Sequence, residues 1–183
     1  MRAIEHSADK TSALLKRIEG LTVALATPLN RAGELDIKGL ERIIERVIAG
    51  GASCLFPLGW MGEQPLLTDK VRAAVIRGTC RIADGRIPVM AGISEQSLPR
   101  AMELAAIASK AGADLILATP PYSYPIPQSL VADYFQRLTA DSRLPLVIYQ
   151  NEEVGVRVEM ETLQRLGKVA GIVGVKASVG FVA

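Results

Sequence analysis

The chain has a single histidine, His6, and two cysteines, Cys54 and Cys80, among 183 residues. One histidine excludes a metal site built from several histidines, and a Ser/His triad would have to draw on His6 in the charged leading segment. The cysteines lack both the paired spacing of a zinc site and the density of a disulfide scaffold, and read as reduced, buried small hydrophobes inside predicted elements. Charge excess is also missing: the formal net charge is +2, with acidic and basic residues intermixed, which leaves no electrostatic footprint for nucleic acid but keeps a small or acidic ligand open. No uninterrupted apolar run reaches the length of about 20 residues needed to span a bilayer. The amino end, MRAIEHSADKTSALLKRIEG, lacks the apolar core of a signal peptide, so a cytoplasmic protein is expected. No GxGxxG or P-loop follows any apolar run, which weakens a nucleotide-binding open sheet.

What the chain has is a repeat. Nearly half of it is apolar, 49%, enough to bury a sizeable core in one domain or in part of a larger one. Short apolar runs recur as LTVALATPL from Leu21, SCLFPLG from Ser53, IPVMAGI from Ile87, DLILATPP from Asp114, PLVIYQ from Pro145 and GIVGVKAS from Gly171. Their continuous rather than alternating apolar character fits strands of a parallel sheet buried on both faces. Helix-period segments lie between them. DIKGLERIIERVIAGG puts Leu40, Ile43, Ile44, Val47 and Ile48 on one stripe and ends on a glycine pair. TDKVRAAVIRGTCRIADG, LPRAMELAAIASKAGAD and PQSLVADYFQRLTADS follow the same grammar, and EMETLQRLGKV is a shorter version.

Run starts are spaced by roughly 30 residues, the length of one βα unit. Units in series either curl into a barrel or open into a doubly wound sheet, and without a nucleotide motif the expected fold is α/β of the TIM (β/α)8-barrel type. An eightfold barrel needs eight strands and typically about 250 residues, whereas six strands are counted here. The expected organisation is a leading segment over 1–20 and an incomplete barrel over 21–183. The chain is then a fragment, a truncated descendant, or a barrel completed by another chain, and an open edge followed by GFVA would be prone to association.

In a barrel all strand ends and βα loops face one mouth. That groups GWMGE (Gly59 to Glu63), GIS (Gly92 to Ser94), TPPYSYP (Thr119 to Pro125), YQNEE (Tyr149 to Glu153) and Lys176. A lysine after a strand is often a solvated end; in an apolar mouth its free amine can attack a ketone and form a carbinolamine and then an imine. Tyr149 is either a packed aromatic or a phenol that shuttles protons during imine chemistry. Tyr122 lies in a proline-rich loop, exposed, at an interface, or as a third member of the site. Gly59 and Gly62 turn the backbone and can bare N–H groups to a carboxylate, whereas Trp60 and Met61 read as packing residues.

Six phrases in order, ALATPLNRAGELD, GWMGEQPLLT, PVMAGIS, AGADLILATPPYSYP, LPLVIYQ and IVGVKAS, make the chain from about Leu21 to Ser178 resemble the dihydrodipicolinate synthase/N-acetylneuraminate lyase family of class I aldolases. The resemblance implies a (β/α)8 barrel in which Lys176 forms a Schiff base with a 2-keto acid, usually pyruvate, and Tyr149 donates and accepts protons. It implies that Tyr122 reaches across a tight dimer interface, that the assembly is a homotetramer, that an aldehyde is the second substrate, and that no cofactor is needed. By position, Gly59, Trp60, Met61 and Gly62 become the keto-acid-binding loop. The family's usual loop is GTTGE, whose hydroxyls bind the keto acid's carboxylate and relay protons; here Trp60 and Met61 replace both threonines. After Tyr149 the synthases carry asparagine, proline and an arginine for the aldehyde's carboxylate, where this chain reads QNEEVG with Glu152 and Glu153 in the loop and Arg157 further along. The expectation is an aldolase or lyase acting on pyruvate or another 2-keto acid with a different aldehyde, the alternative being an inactive truncated relative or a keto-acid-binding protein.

Overall fold

A computed structural model of the chain describes residues 8–151 and 155–178. Helix α1 (Ala8–Arg17) precedes an alternation of strands and helices: β1 (Thr22–Ala24), α2 (Ile37–Ala49), β2 (Cys54–Phe56), α3 (Asp69–Ala83), β3 (Met90–Gly92), α4 (Leu98–Ala111), β4 (Leu115–Ala118), α5 (Gln128–Asp141), β5 (Leu146–Gln150), α6 (Met160–Leu166) and β6 (Ile172–Ala177). Each of the six apolar runs carries one strand, and each helix-period segment carries one helix. The strands are shorter than the runs because their ends are set by pairing, not by where apolar residues stop. His6, Glu152, Glu153 and the GFVA tail lie outside the described residues.

Helix starts follow local chemistry. The Asp36 side chain accepts from the Gly39 N–H to cap α2, and the Thr68 hydroxyl accepts from Val71 N–H to cap α3. The stripe on α2 faces inward as its periodicity requires: Leu40 and Ile44 are fully buried, while Ile43, Val47 and Ile48 are half-buried.

The chain divides into two compact units, one of residues 1–92 and 107–115, the other of residues 93–106 and 116–183. In the first, β1 and β2 pair in parallel with Val23 opposite Leu55, and Leu55 bridges in parallel to Val89. Leu25, Leu40, Ile44, Leu55, Phe56 and Ile76 form its buried core. Cys54 is buried and Cys80 half-buried, and both are free thiols. Arg17 at the end of α1 lies 3.8 Å from Asp114, whose other carboxylate oxygen accepts from Val89 N–H at 2.9 Å.

In the second unit, β4, β5 and β6 run parallel, with Leu117 opposite Val147 and Tyr149 opposite Lys176. β5 is buried at all five positions, whereas no residue of β6 is fully buried and Val175 is 43% exposed. Ile93, Ile116, Phe135, Leu138 and Ile148 fill this core, where Tyr134 and Phe135 meet edge to face, their ring centroids 5.2 Å apart.

Candidate active site

The site grows out of the β5–β6 ladder. Tyr149 and Lys176 are direct cross-strand partners, so their side chains emerge on one face of the sheet. Ser178 lies two residues beyond Lys176 and therefore on the same face. Its backbone N–H donates to the Gln150 carbonyl at 2.9 Å, carrying the ladder past the end of β6.

The three side chains touch. Lys176 Nζ lies 3.8 Å from the centroid of the Tyr149 ring and over its face, an attraction between the cation and the ring quadrupole. The same Nζ donates to Ser178 Oγ at 3.0 Å, and Ser178 Oγ lies 3.2 Å from the Tyr149 hydroxyl. Tyr149 is 5% exposed, Lys176 is half-buried and Ser178 is open to solvent. A phenol fixed in the core, an amine reaching from it toward water and a hydroxyl touching both are suited to carbonyl chemistry with proton transfer. Sequence reasoning singled out Lys176 and Tyr149. It passed over Ser178, although the i, i+2 alternation along GVKAS was available to find it.

Tyr122 belongs to the same unit, half-buried in the loop after β4. Gly155 packs against it: a Cβ at Gly155 would come within 2.6 Å of the Tyr122 Cβ, and the glycine holds a φ of +76°. The loop after β5 is fastened by two glutamines. Gln150 accepts from Val158 N–H at 2.8 Å, and Gln128 donates to the Arg157 carbonyl at 2.7 Å while accepting from Glu159 N–H at 3.0 Å. At the exits of β3 and β4, Ser94 Oγ accepts from Thr119 N–H at 3.0 Å. One residue past GIS, Glu95 is a buried carboxylate that accepts from Arg100 Nε at 3.1 Å. Burial pushes the Tyr134 phenol's pKa far up, and the nearby Glu95 and Tyr122 push it further.

The GWMGE segment belongs to the first unit. Trp60–Gly62 forms a single 3-10 turn between Leu58 and Glu63, two non-glycine residues at φ of +59° and +54°. Such backbone is costly and persists where the surroundings fix it; Leu58 is buried, and the Gly62 carbonyl accepts from Thr27 Oγ1 at 2.8 Å. The Gly62 N–H is engaged by the Gly59 carbonyl and the Glu63 N–H by that of Trp60. Fewer of the loop's amides are therefore available to an anion than the two glycines alone promise. Met61 is 68% exposed, so it is not the packing residue that the sequence indicates.

Serial βα units with parallel strands, and a lysine and a tyrosine paired at the end of the fifth and sixth strands, define a chain of the (β/α)8-barrel class, with six strands among the described residues. A family model described as the dihydrodipicolinate synthetase family matches residues 17–183. The chain belongs to that family. It is 35% identical over 159 residues to the 4-hydroxy-tetrahydrodipicolinate synthase of Gluconacetobacter diazotrophicus, an alignment covering 86% of this chain and 54% of that protein. Among solved structures, it superposes on the chloride-inhibited dihydrodipicolinate synthase from Acinetobacter baumannii complexed with pyruvate with a TM-score of 0.86 at 32% identity, over 90% of this chain and 57% of that one. The dihydrodipicolinate synthase from Bacteroides thetaiotaomicron gives a TM-score of 0.84 at 37% identity, over 89% and 55%. The chain thus spans about half the length of the relatives it matches. Among the described residues no helix is long and apolar enough to cross a membrane.

Proposed function

We propose that the chain carries the Schiff-base site of an aldolase or lyase acting on pyruvate or another 2-keto acid. The observation that supports this best is the side-by-side placement of the Lys176 amine and the Tyr149 phenol at the ends of paired strands. The neutral amine of Lys176 adds to the keto carbon to give a carbinolamine, which loses water to become an imine. A proton then leaves the neighbouring carbon, giving an enamine that adds to the carbonyl carbon of an aldehyde; the reverse sequence cleaves that bond. Tyr149 serves as proton donor and acceptor. Tyr122, in the same unit, completes the site in a homo-oligomer. The A. baumannii structure, with its pyruvate, supports the choice of keto acid. A cytoplasmic location accords with this chemistry.

A second reading, a keto-acid-binding protein without turnover, is favoured by Trp60 and Met61 in the binding loop and by the chain's spanning only about half its relatives. Calorimetric titration with pyruvate, paired with borohydride trapping on the same folded sample, separates the two. Heat with a trapped adduct supports the aldolase or lyase; heat without an adduct supports binding alone.

A further inference from the structure

Imine formation requires the attacking nitrogen to lose protons and the keto oxygen to gain them before it leaves as water. Lys176 and Tyr149 are arranged so that this exchange has an intermediary. The amine lies over the face of the ring, 3.8 Å from its centroid, and the phenolic oxygen is reached through Ser178 Oγ, which stands 3.0 Å from Nζ and 3.2 Å from the hydroxyl. A serine hydroxyl has one proton to give and two lone pairs to receive. Here it receives from Nζ and so is placed to give to the phenol.

The placement is built into the backbone. Ser178 shares the face of Lys176 by strand alternation, and its amide is tied to the Gln150 carbonyl, one residue from Tyr149. The hydroxyl is thus anchored against both partners at once. Alanine there would keep the ladder and remove the link; threonine would keep the link.

We infer that Ser178 is the proton conduit between the Lys176 amine and the Tyr149 phenol in this chain's imine chemistry, an inference that rests on the Schiff-base reading above. After Nζ bonds to the keto carbon, its proton passes to Ser178 Oγ, the Ser178 proton passes to the Tyr149 oxygen, and the Tyr149 proton passes to the oxygen on the former keto carbon. That first pass gives the carbinolamine; the remaining Nζ proton then follows the same path to the oxygen, the carbon–oxygen bond breaks, water leaves and the carbon–nitrogen double bond forms. Amine and ketone yield imine and water, with Ser178 and Tyr149 returned to their starting protonation.

The test is the rate at which pyruvate imine accumulates, read by quenching timed samples with borohydride and weighing the intact protein, for the wild type, Ser178→Ala, Ser178→Thr, Tyr149→Phe and the Ser178→Ala/Tyr149→Phe double variant. Near-UV circular dichroism checks that each is folded. Ser178→Ala should approach the same final extent of adduct about 10²-fold more slowly, the lower end of what a positioned acid or base contributes. Ser178→Thr should recover to within a few-fold of wild type. If the two groups act in one chain, the double variant is no slower than the slower single variant. Ser178 is open to solvent, so bulk water is the competing carrier: a Ser178→Ala rate within twofold of wild type, or full additivity in the double variant, overturns the inference and leaves the Schiff-base reading intact. Absence of any adduct on folded wild-type protein overturns both.

Discussion

At Gly92, the last residue of β3, the main chain leaves no room for a side chain. A Cβ built there would lie 2.1 Å from the Leu58 carbonyl oxygen, 2.7 Å from its carbon and 3.0 Å from the Pro57 oxygen. All three are main-chain atoms, so no side-chain rotation relieves the clash. Leu58 itself is pinned at a positive φ and buried. Gly92→Ala must therefore push two strand ends apart and stretch the Gly92 N–H bond to Pro57 O, 3.0 Å long in the native chain. Overpacking of a tight site costs about 1–3 kcal/mol and a weakened main-chain hydrogen bond about 1 kcal/mol, giving a loss of about 2–4 kcal/mol. With a urea dependence of about 2 kcal/mol per molar, the unfolding midpoint should fall by about 1–2 M. Gly174→Ala is the control: a Cβ there meets nothing within 4 Å and no positive φ is involved, so the stability change should be neutral or favourable by up to about 1 kcal/mol. Equal midpoints for the two variants would refute the claim that strand approach at Leu58 fixes the start of the GWMGE loop.

Two further outcomes follow from the ionisable groups. Burial pushes both thiols, Cys54 and Cys80, up to about 11, so at pH 8 the native protein should react with iodoacetamide far more slowly than the urea-unfolded chain; equal rates would contradict the packing around β2 and α3. The Arg86 guanidinium bonds to the Glu45 carboxylate and holds its pKa below the ordinary glutamate value, as Lys70 does for Glu34. Because these folded values are lowered, their contribution to stability is present above the unfolded pKa and is lost as pH falls through the folded value. Carboxyl-detected NMR titration should find both glutamates below the ordinary range, with Glu45 alone returning to it in Arg86→Ala.

Much of this architecture was legible because it is written in local chemistry. Asp36 and Thr68 cap their helices where the sequence places them, and each apolar run contains one strand. Helix α1 was not legible: ADKTSALLKR carries charges at both ends and reads as part of a charged leading segment, with no strand before it among the described residues to mark a βα unit. The 3-10 turn at Trp60–Gly62 also escaped, since it depends on Leu58 and Glu63 adopting left-handed backbone that nothing in their side chains announces. In the candidate site, Lys176 and Tyr149 stand out as reactive side chains at strand ends. Alternation along GVKAS puts Ser178 on the Lys176 face, but its contact with Tyr149 comes through a register that one chain's sequence does not display. Glu95 is hidden for the same reason, an ordinary surface-type residue whose burial and Arg100 partner are products of the fold.

The most direct test of the central claim is to incubate the folded chain with pyruvate and borohydride, weigh it intact and map the modified peptide. The account predicts one reduced pyruvyl group per chain, located on Lys176 and absent from Lys176→Met. A folded protein that stays unmodified, or an adduct that maps to any other lysine, would contradict it.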